Sequence, residues 1–432
     1  MPNTLEAGEG VADITPPLGI ELAGFHKPPG KERVITGIRQ PCQARALVVR
    51  QTRTLAAIVS LDVCGFDAAF SQRVRSRAAK HTGIPTDHIR LTATHTHSAP
   101  TLRFFRQWGA VSRPYVDFVE QRSVEAIVAA KQDLAPADCY VGLDRVSGGN
   151  FNRTSKVWKT EDTFAEASND GERWLDTTLH ALSFLREKPK RSLVWYHFSA
   201  HPVCFADGLA GPDWPGLVAE KMNARDELAP SFLQGHCGDV NPGTSAPWLG
   251  DPEKVSEAVY TALHQAVNHS TYVDPKPLRM LRSEVKLPLD IARLKDQLER
   301  YREDSSQCTK GEWVDAGFAK DWFESASRWS QRRTAYTAPL AALRLGAVAL
   351  LFHPAELYSS YGLIIRRDSP FPVTFVVGYS DDFVGYVTDP AAHQANEYAA
   401  VVVPKILGLP SFKPEAGRVL AETSIKLLKR LV

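Results

Sequence analysis

The sequence predicts an α/β fold in which a mixed β-sheet core is flanked by helices. Two apolar segments, Ala44–Arg50 and Ala56–Val63, are separated by the polar turn 51–54 and have the composition of strands. Helical periodicity follows over Phe66–His81, and Ile89–Thr94 is again strand-like. Strand, helix and strand at this spacing are typical of a sheet with helical crossovers. At 432 residues and 44% hydrophobic content, the chain has ample material for a large core.

Strands and helices continue to alternate along the rest of the chain. The remaining predicted elements are a helix over Tyr115–Ala135, strands over Cys139–Arg145, Leu179–Arg186, Ser192–Ser199 and Ser231–Leu233, helices over Trp214–Arg225 and Asp251–Asn268, strands over Ala341–Phe352 and Val373–Tyr379, and helices over Ala355–Arg366 and Gly417–Val432.

Residues 286–335 differ in composition from the rest of the chain. They are dense in Lys, Glu, Arg and Trp, which predicts two solvent-facing helices that cover the core. Such helices can also form a substrate lid or a dimer contact. Because the sequence shows no internal repeat and no linker, we expect one domain over residues 1–432, with 286–335 as a helical insertion.

Charge and composition argue against several function classes. The net charge is +2 with no run of like charges, so neither nucleic acid nor a membrane surface is an expected partner. The N-terminus lacks the basic and apolar regions of a secretory signal, and the apolar run 345–352 is far too short to span a bilayer. Six cysteines are scattered without a C-x-x-C pair, which indicates reduced thiols. We therefore expect a cytoplasmic protein.

The first candidate functional residues follow the predicted strand Ile89–Thr94, in the stretch His95-Thr-His-Ser98. On an extended chain, the spacing of His95 and His97 places both imidazoles on the same face. Two such imidazoles can bind a metal or move protons, or they can form a hydrogen-bonded pair at a strand edge. The carboxyl ends of strands are also where α/β sheets usually carry their chemistry.

Polar side chains follow other predicted strands as well. Singly, each has an ordinary explanation: His201 as a hydrogen-bonded structural histidine, Glu356 as a favourable charge at the start of a helix, and Tyr386 as a half-buried aromatic. Catalytic zinc, however, takes about three histidine or carboxylate ligands and keeps one position for water. His95, His201 and Glu356 are such a set, provided that the sheet brings its strand ends together.

The order of the motifs resembles the neutral (non-lysosomal) ceramidase family, specifically its catalytic N-terminal domain. The matching segments are Asp13-Ile-Thr-Pro-Pro, Ala44-Arg-Ala, Ser60-Leu-Asp62, Ala93-Thr-His-Thr-His-Ser98, Asn150-Phe-Asn-Arg153, Ala200-His-Pro202, Asp213-Trp-Pro-Gly216, Gly238-Asp-Val-Asn-Pro242, Pro354-Ala-Glu356 and Gly385-Tyr-Val-Thr388. They cover about residues 8–400 in unchanged order. The sequence is identified as a divergent, short, bacterial-type member, which implies the fold of that catalytic domain.

The resemblance also implies the roles of individual residues. It implies a zinc ion bound by His95, His201, Glu356 and Tyr386. It further implies that His97 donates or accepts a proton at the reacting centre and that Arg153 polarises the carbonyl or stabilises the oxyanion. The implied reaction is hydrolysis of an amide (C–N) bond. Zinc suits it because the metal lowers the pKa of its bound water to about 7 and so provides hydroxide at neutral pH.

Three features depart from the family pattern. Where ceramide-cleaving members carry a serine proposed to take part in catalysis, this chain has Asn241, which cannot act as a nucleophile. We therefore expect direct attack by the zinc-bound water, with Asn241 positioning the substrate. Because the sequence ends at Val432, we expect no C-terminal β-sandwich domain of the kind found in true ceramidases, and we expect no basic amphipathic membrane segment. These departures predict a soluble small-molecule substrate rather than membrane ceramide.

Four further residues are expected to line the site or to orient its ligands. His236 and Asp239 flank the expected centre in one loop, where they can support ligands. Asp62 ends the strand before the first helix and is expected to orient a ligand histidine in the same way. Asp213 precedes a helix, either as its N-cap or as a residue that lines the site.

The sequence leaves two alternatives open. The same zinc centre could act on an ester, a lactone or a sugar-derived substrate. The chain could instead be a non-catalytic metal-binding scaffold, because the family serine is missing, although a scaffold has no need of His97 and Arg153. The identity of the substrate does not follow from the sequence, which also allows a homo-oligomer.

Overall fold

The structure, a computed structural model, describes residues 5–432. Its strands are β1 (Leu5–Asp13), β2 (Gly37–Ile38), β3 (Gln43–Gln51), β4 (Thr54–Leu61), β5 (Ile89–Ala93), β6 (Ala135–Arg145), β7 (Asn150–Asn152), β8 (Lys159–Thr160), β9 (Trp174–Leu175), β10 (Thr178–Arg186), β11 (Leu193–Phe198), β12 (Leu209–Ala210), β13 (Ser231–Gln234), β14 (Val240–Pro242), β15 (Thr271–Tyr272), β16 (Leu278–Pro288), β17 (Ala335–Leu345), β18 (Val348–Phe352), β19 (Ala355–Leu357), β20 (Val373–Val377) and β21 (Gly385–Val387). Its α-helices are α1 (Ala68–Thr82), α2 (Arg113–Gln132), α3 (Trp214–Asp226), α4 (Pro252–Asn268), α5 (Ile291–Glu303), α6 (Ala316–Ala326), α7 (Ser359–Arg367), α8 (Pro390–Gln394), α9 (Tyr398–Val401), α10 (Val403–Ile406) and α11 (Ala416–Lys429).

The larger sheet has the strand order β13-β11-β10-β6-β1-β3-β4-β5 within residues 5–432, and the short β15 also pairs with β6. Adjacent strands in this sheet are mostly antiparallel, but β4 pairs with β5 and β11 pairs with β13 in parallel. A parallel pair needs a long crossover connection, and α1 and α3 lie in these two crossovers. The chain leaves β5 toward His95 and leaves β11 toward His201.

A smaller sheet, β16-β17-β18-β20, packs on the larger one. Both sheets contribute to a shared core that includes Leu47, Val49, Ile58, Trp195, Leu350 and Phe375. On β3 the intervening residues Ala46 and Val48 point the other way, into the cluster that contains α1 and α2. This alternation is what a strand between two packed layers requires.

Helices cover the outer faces of both sheets, so the layers run helix, sheet, sheet, helix. Helices α1 to α4 pack on the larger sheet, and α7 and α11 pack on the smaller one. Local sequence sets helix ends: Asp67 accepts a hydrogen bond from the Phe70 amide at the start of α1, and Gly83 ends that helix with φ 71°. The architecture confirms the predicted α/β class with a mixed sheet.

Several predicted elements differ from the structure. The helix predicted over Ala355–Arg366 is wrong at its start, because residues 355–357 form β19 and pair in parallel with β21 before α7 begins. The strands predicted over Ala341–Phe352 are β17 and β18, joined by a turn at Gly346 where φ is 59°, but β17 begins earlier than predicted, at Ala335. Strands β1 and β16 were not predicted.

Residues 289–334 connect the neighbouring strands β16 and β17, so the ends of the predicted insertion 286–335 belong to these strands. Helices α5 and α6 lie in this connection and enclose a small apolar cluster of their own, with Leu294, Leu298, Trp313 and Trp322 at its centre. None of the helices within residues 5–432 combines the length and the apolarity that a bilayer span requires.

The two edges of the larger sheet approach each other. Ser60 Oγ on β4 donates to the Phe232 carbonyl on β13 at 2.6 Å. The fully buried Gln234 amide donates to the Thr94 carbonyl at 3.1 Å and to the Ala200 carbonyl at 3.0 Å. Because Thr94 and Ala200 immediately precede His95 and His201, a single side-chain amide links the two loops that carry these histidines.

Candidate metal centre

A cavity of about 310 Å³ opens at the linked strand ends. Its polar wall is formed by His95, His97, Arg153, Asn241, Glu356 and Tyr386, and its apolar wall includes Phe105, Trp108, Phe383, Tyr398, Ile406 and Leu407. The structure therefore brings six of the sequence-predicted site residues to one cavity, and His201 lies directly behind them in contact with Glu356.

His95 is buried two residues beyond the end of β5. Its backbone is not extended as predicted, because its φ is 64°, which turns the chain sharply at this position. The Nδ1 atom lies 2.6 Å from the Cys64 carbonyl oxygen, to which it donates. This hydrogen bond fixes the tautomer and leaves the Nε2 lone pair facing the cavity.

His201 is held in the same way on the opposite side. Its Nδ1 atom donates to the Val240 carbonyl at 2.8 Å, so that its Nε2 lone pair is also free. The Trp214 indole donates to the His201 carbonyl at 3.1 Å and fixes the backbone of the loop. Both histidines thus have the orientation that a metal-binding imidazole needs.

Glu356 and Tyr386 lie side by side because β19 and β21 pair in parallel, with these two residues in register. Side chains opposite each other in a pair of strands point to the same face. The strand that replaces the predicted helix start therefore places the carboxylate beside the phenol. Glu356 is 2% exposed and Tyr386 is 9% exposed.

Four ligand-type atoms converge at separations that suit a metal ion. Glu356 Oε2 lies 3.3 Å from His95 Nε2 and 3.2 Å from His201 Nε2. Tyr386 Oη lies 3.4 Å from His201 Nε2. Ligand atoms about 2.0–2.1 Å from a tetrahedral zinc ion are about 3.3 Å from one another. The donor set His95, His201 and Glu356 therefore fits a small tetrahedral cation.

The charges in this cluster follow from burial and from the short contacts. Burial opposes ionisation of Glu356, but His95 and His201 hold the pKa of its carboxyl well below the ordinary value. Burial and then the charge of Arg153 lower the pKa of His201 to about 4. Burial would lower the pKa of His95, but Glu356 and Cys64 raise it to about 10. The ionised carboxylate thus attracts either a proton on His95 or a cation.

His97 lies at the cavity edge of this cluster. Its Nε2 atom is 3.3 Å from His95 Nε2, and its Nδ1 atom has no hydrogen-bond partner among the described residues. Burial, together with the nearby His95 and His201, holds the pKa of His97 well below its ordinary value. The ring is therefore neutral. Its Nδ1 atom is buried beside Gly24, so Nε2 is the nitrogen that faces the cluster.

Arg153 lies on the other side of Tyr386. Its Nη2 atom donates to Tyr386 Oη at 2.6 Å and to the Gly238 carbonyl at 2.8 Å, and Nη1 donates to Asn241 Oδ1 at 3.1 Å. Burial opposes its charge, but Tyr386 and Glu356 raise the pKa of Arg153 above the ordinary value. A guanidinium has five N–H donors, so donors remain for a substrate oxygen.

Asn241 stands on β14, which pairs with β7 just before Arg153. Its Oδ1 atom accepts from Arg153, and its Nδ2 atom donates to the Trp248 carbonyl at 2.9 Å. The residue in the place of the family serine therefore holds the arginine and the Trp248 loop. It borders the cavity, as the sequence predicted for a substrate-positioning residue.

Asp239 supports the site from behind. Its carboxylate accepts from the Ser359 amide and hydroxyl at 2.8 Å each and from Asn152 Nδ2 at 2.8 Å. Its backbone carbonyl accepts from the Arg153 amide at 2.8 Å. Asp239 thus joins the segment that carries Arg153 to the start of α7, close to Glu356.

Three predicted supporting residues do not contact the ligand side chains. His236 lies 3.0 Å from the buried Asp176 carboxylate, away from the cavity. Asp62 accepts from the Gln43 amide at 2.9 Å and borders a different cavity, so the prediction that it orients a ligand histidine is wrong. Asp213 is the N-cap of α3 and also accepts from the amides of Cys204 and Phe205, so it stabilises the loop after His201.

Three features of the site were not predicted from the sequence. They are the Cys64 carbonyl that accepts from His95, the bridging side-chain amide of Gln234 and most of the apolar wall. Cys64 follows β4 just as His95 follows the neighbouring β5, which was the available signal. Gln234 ends β13, but an isolated glutamine carries no sequence signature for a bridging amide. The apolar wall comes partly from residues 398–407, where the composition indicated no specific role.

Comparisons with known proteins show which family and which fold this chain resembles. The family model described as neutral/alkaline non-lysosomal ceramidase, N-terminal, matches residues 5–268, which is more than half of the chain. A neutral ceramidase from Drosophila pseudoobscura pseudoobscura is 27% identical over 267 residues, covering 56% of this chain. That match spans 37% of the relative's own length.

Two solved structures share the fold. The crystal structure of neutral ceramidase from Pseudomonas aeruginosa superposes with a TM-score of 0.74 at 17% identity, covering 100% of this chain and 75% of that one. A ceramidase complexed with C2 gives a TM-score of 0.74 at 16% identity, covering 99% and 75%. The fold therefore matches along the whole chain, and the family match lies in its first 268 residues. The chain belongs to the neutral/alkaline non-lysosomal ceramidase family.

Proposed function

We propose that this protein is a zinc-dependent hydrolase that cleaves an amide (C–N) bond in a small-molecule substrate. The observation that carries the proposal is the convergence of two imidazoles on one carboxylate. Glu356 Oε2 lies 3.3 Å from His95 Nε2 and 3.2 Å from His201 Nε2. Both imidazoles donate through Nδ1 to backbone carbonyls, so in their neutral form both Nε2 lone pairs face the carboxylate oxygen. A cation relieves the repulsion among these groups.

Zinc suits this donor set. Two imidazoles and a carboxylate are a common set of catalytic zinc ligands, and the adjacent Tyr386 phenol is a fourth oxygen donor. The cluster faces the cavity, which leaves room for a water molecule or a substrate oxygen. A bound zinc ion supplies Lewis acidity and a water of lowered pKa at this position.

Arg153 is the residue that stabilises negative charge on the substrate oxygen. Three of its hydrogen bonds hold the guanidinium beside Tyr386 before any substrate arrives, which keeps the donors preorganised. Its pKa is raised above the ordinary value by Tyr386 and Glu356, against the effect of burial, so the charge is permanent. One preorganised donor of this kind typically lowers the activation barrier by about 2.7–4 kcal/mol.

His97 is the residue that transfers the proton to the leaving amine. It is neutral, borders the cavity and directs Nε2 toward the ligand cluster. An imidazole in this position accepts a proton as the attacking water loses it and returns the proton to the departing nitrogen. Asn241 has no nucleophilic atom and holds Arg153, which disfavours a covalent route through this position and favours direct attack by water.

The size of the cavity favours a small substrate. Its volume of about 310 Å³ lies at the lower end of the range of about 300–1,000 Å³ that is typical of small-molecule pockets. The apolar wall of Phe105, Phe383 and Ile406 suits a short acyl or aromatic group, with the amide directed toward Arg153.

Metal analysis combined with a substrate panel tests the proposal. We expect about one zinc ion per chain, loss of turnover on chelation and recovery on adding zinc. The Glu356→Gln variant removes the negative charge and is expected to lose both zinc and turnover, whereas Glu324→Gln on the surface of α6 retains both. Zinc well below one ion per chain, with no activity restored by adding it, contradicts the proposal.

The panel separates the bond classes. It contains small acyl amides, a short-chain ceramide, and matched esters and lactones. Turnover of small amides supports the proposal, and turnover of the short-chain ceramide alone restores the family reaction. Turnover of esters or lactones without any amide overturns the amidase assignment, and a zinc-loaded protein without turnover of any member indicates a scaffold.

A further inference from the structure

The cavity contains a thiol that the proposed reaction does not use. Cys64 lies just after β4 and borders the cavity together with His95 and His97. Its Sγ atom is 4.0 Å from His95 Nδ1. Ligand atoms of Cys64, His95 and His97 all lie within 4.8 Å of one another, as do those of His95, His201 and Glu356. The structure therefore contains two overlapping groups of metal ligands that share His95.

The other cysteines of the chain differ from Cys64 in their surroundings. Cys237 has a specific partner, because its Sγ atom lies 3.0 Å from the Tyr379 hydroxyl. Cys139 is buried in the apolar core between the two sheets, with no histidine ligand group. Cys64 is the cysteine for which the described residues provide two imidazoles, whose Nε2 atoms lie 3.3 Å apart.

The two groups differ in the ions that they prefer. The group with Glu356 has nitrogen and oxygen donors, which suit zinc at a catalytic position. The group with Cys64 has a sulfur donor, and thiolate ligands favour soft ions. A soft divalent ion therefore gains from moving toward the sulfur, and it then takes His95 away from the first group.

We infer that Cys64, His95 and His97 form a second, sulfur-containing cation position in the cavity, which takes soft divalent ions such as Cd²⁺ and takes Zn²⁺ only in excess. On binding, the S–H bond of Cys64 breaks, the sulfur keeps the electron pair for the ion and the proton passes to solvent. The imidazoles bind as neutral ligands. An ion at this position engages His95 and His97 together and so blocks the proposed reaction.

Cadmium titration of the whole protein after metal removal tests the inference. A cadmium–thiolate bond gives a charge-transfer absorption in the ultraviolet, whereas cadmium on nitrogen and oxygen ligands alone gives none. We expect this absorption to grow and saturate near one equivalent in the wild type. It is lost in Cys64→Ser and retained in the matched control Cys139→Ser, which removes a buried thiol far from the cavity.

The outcome is independent of the proposed function, because the absorption reports the sulfur ligand and needs no turnover. Absorption that persists in Cys64→Ser, or that is absent from the saturated wild type, overturns the inference even if the enzyme is an active zinc hydrolase. In the opposite case, absorption that depends on Cys64 stands even if no substrate is found. Circular dichroism of Cys64→Ser verifies that the variant is folded.

Discussion

His95 and His97 are two residues apart, but their hydrogen bonds differ. His95 donates through Nδ1 to a backbone carbonyl and directs Nε2 toward Glu356, so its two nitrogens are committed. His97 has an unpartnered Nδ1 and stands at the cavity edge. An imidazole with both nitrogens committed is suited to hold a metal, and a neutral imidazole whose Nε2 faces the metal ligands is suited to move a proton.

The role proposed for His97 predicts a specific kinetic effect. Replacing His97 by Gln is expected to lower kcat by about 10²–10⁴-fold, because general acid–base catalysis typically accelerates a reaction by this factor. Zinc content is expected to stay near that of the wild type, since the His95, His201 and Glu356 donors remain. Turnover and bound zinc are measured on the same preparation. The exposed His81→Gln serves as control, and unchanged turnover in His97→Gln contradicts the assignment.

The backbone at Gly24 keeps space for the His97 ring. A Cβ at this position would lie 2.3 Å from His97 Cγ, and φ is +95°. Gly24→Ala is expected to lower the free energy of unfolding by roughly 1–3 kcal/mol through overpacking. It also shifts the His97 ring, so turnover falls. Urea denaturation and turnover measure the two effects.

Gly19 offers a matched control for this substitution. Its φ is +89°, and a Cβ there would have no neighbour within 4 Å. Gly19→Ala therefore carries backbone strain similar to that of Gly24→Ala, without the overlap. If Gly19→Ala lowers turnover as much as Gly24→Ala does, the loss comes from strain in the backbone and not from contact with His97.

At the scale of elements, pairing between strands places the candidate ligands. The sequence indicated Glu356 as a ligand but predicted a helix start around it, because the polar residue beside Pro354 and the apolar periodicity that follows suit a helix. The parallel pairing of β19 with β21 overrides that local preference. A parallel partner 30 residues further along the chain leaves no signal in the local pattern.

Gln234 is the element-scale link between the two histidine loops. Its amide donates to the carbonyls of Thr94 and Ala200, which precede His95 and His201. Gln234→Met keeps the side-chain length and removes both hydrogen bonds, so two buried carbonyls lose their donor. We expect a lower affinity for zinc and a loss of stability of about 1–3 kcal/mol per unsatisfied group.

Competition with a chelator measures zinc affinity in this variant, and urea denaturation measures its stability. The control is Gln297→Met, which removes a buried amide that donates to Glu312 in the helical insertion. That variant is expected to lose stability without a change in zinc affinity. Equal zinc affinity in Gln234→Met and the wild type would show that the bridging amide does not set the distance between the loops.

At the scale of the whole molecule, the packed layers bury further histidines away from the cavity. Burial, followed by the charge of Arg366, holds the pKa of His180 well below its ordinary value. Burial, followed by the nearby His236, lowers the pKa of His197 to about 3 and that of His353 to about 3. These rings are neutral in the fold at neutral pH.

The buried histidines predict a loss of stability in acid. In the unfolded chain each of them binds a proton at about pH 6.5, whereas in the fold it does so only at a lower pH. Stability is therefore full above the unfolded pKa and falls as the pH drops below it. When the pH falls from about 7.5 to about 5.5, each such histidine lowers the free energy of unfolding by about 1.4 kcal/mol, and the three together lower it by about 4 kcal/mol.

Urea denaturation at the two pH values measures this loss. His180→Gln has no titrating group at that position, so its loss between the two pH values is expected to be smaller than that of the wild type by about 1.4 kcal/mol. The exposed His81→Gln is expected to retain the full loss. The same loss in His180→Gln and the wild type would mean that other groups govern the acid response.

The local pattern of the sequence was sufficient for the α/β class and for most helices and strands, because these follow from hydrophobic periodicity. Residue types at predicted strand ends indicated His95, His201 and Glu356, and the resemblance to the family indicated His97, Arg153 and Tyr386. The strand at Glu356, the bridging amide of Gln234, the supporting role of Asp213 and the position of Cys64 beside two histidines became visible only in the tertiary structure. Each depends on contacts between segments that are remote in the chain, and local periodicity does not encode such contacts.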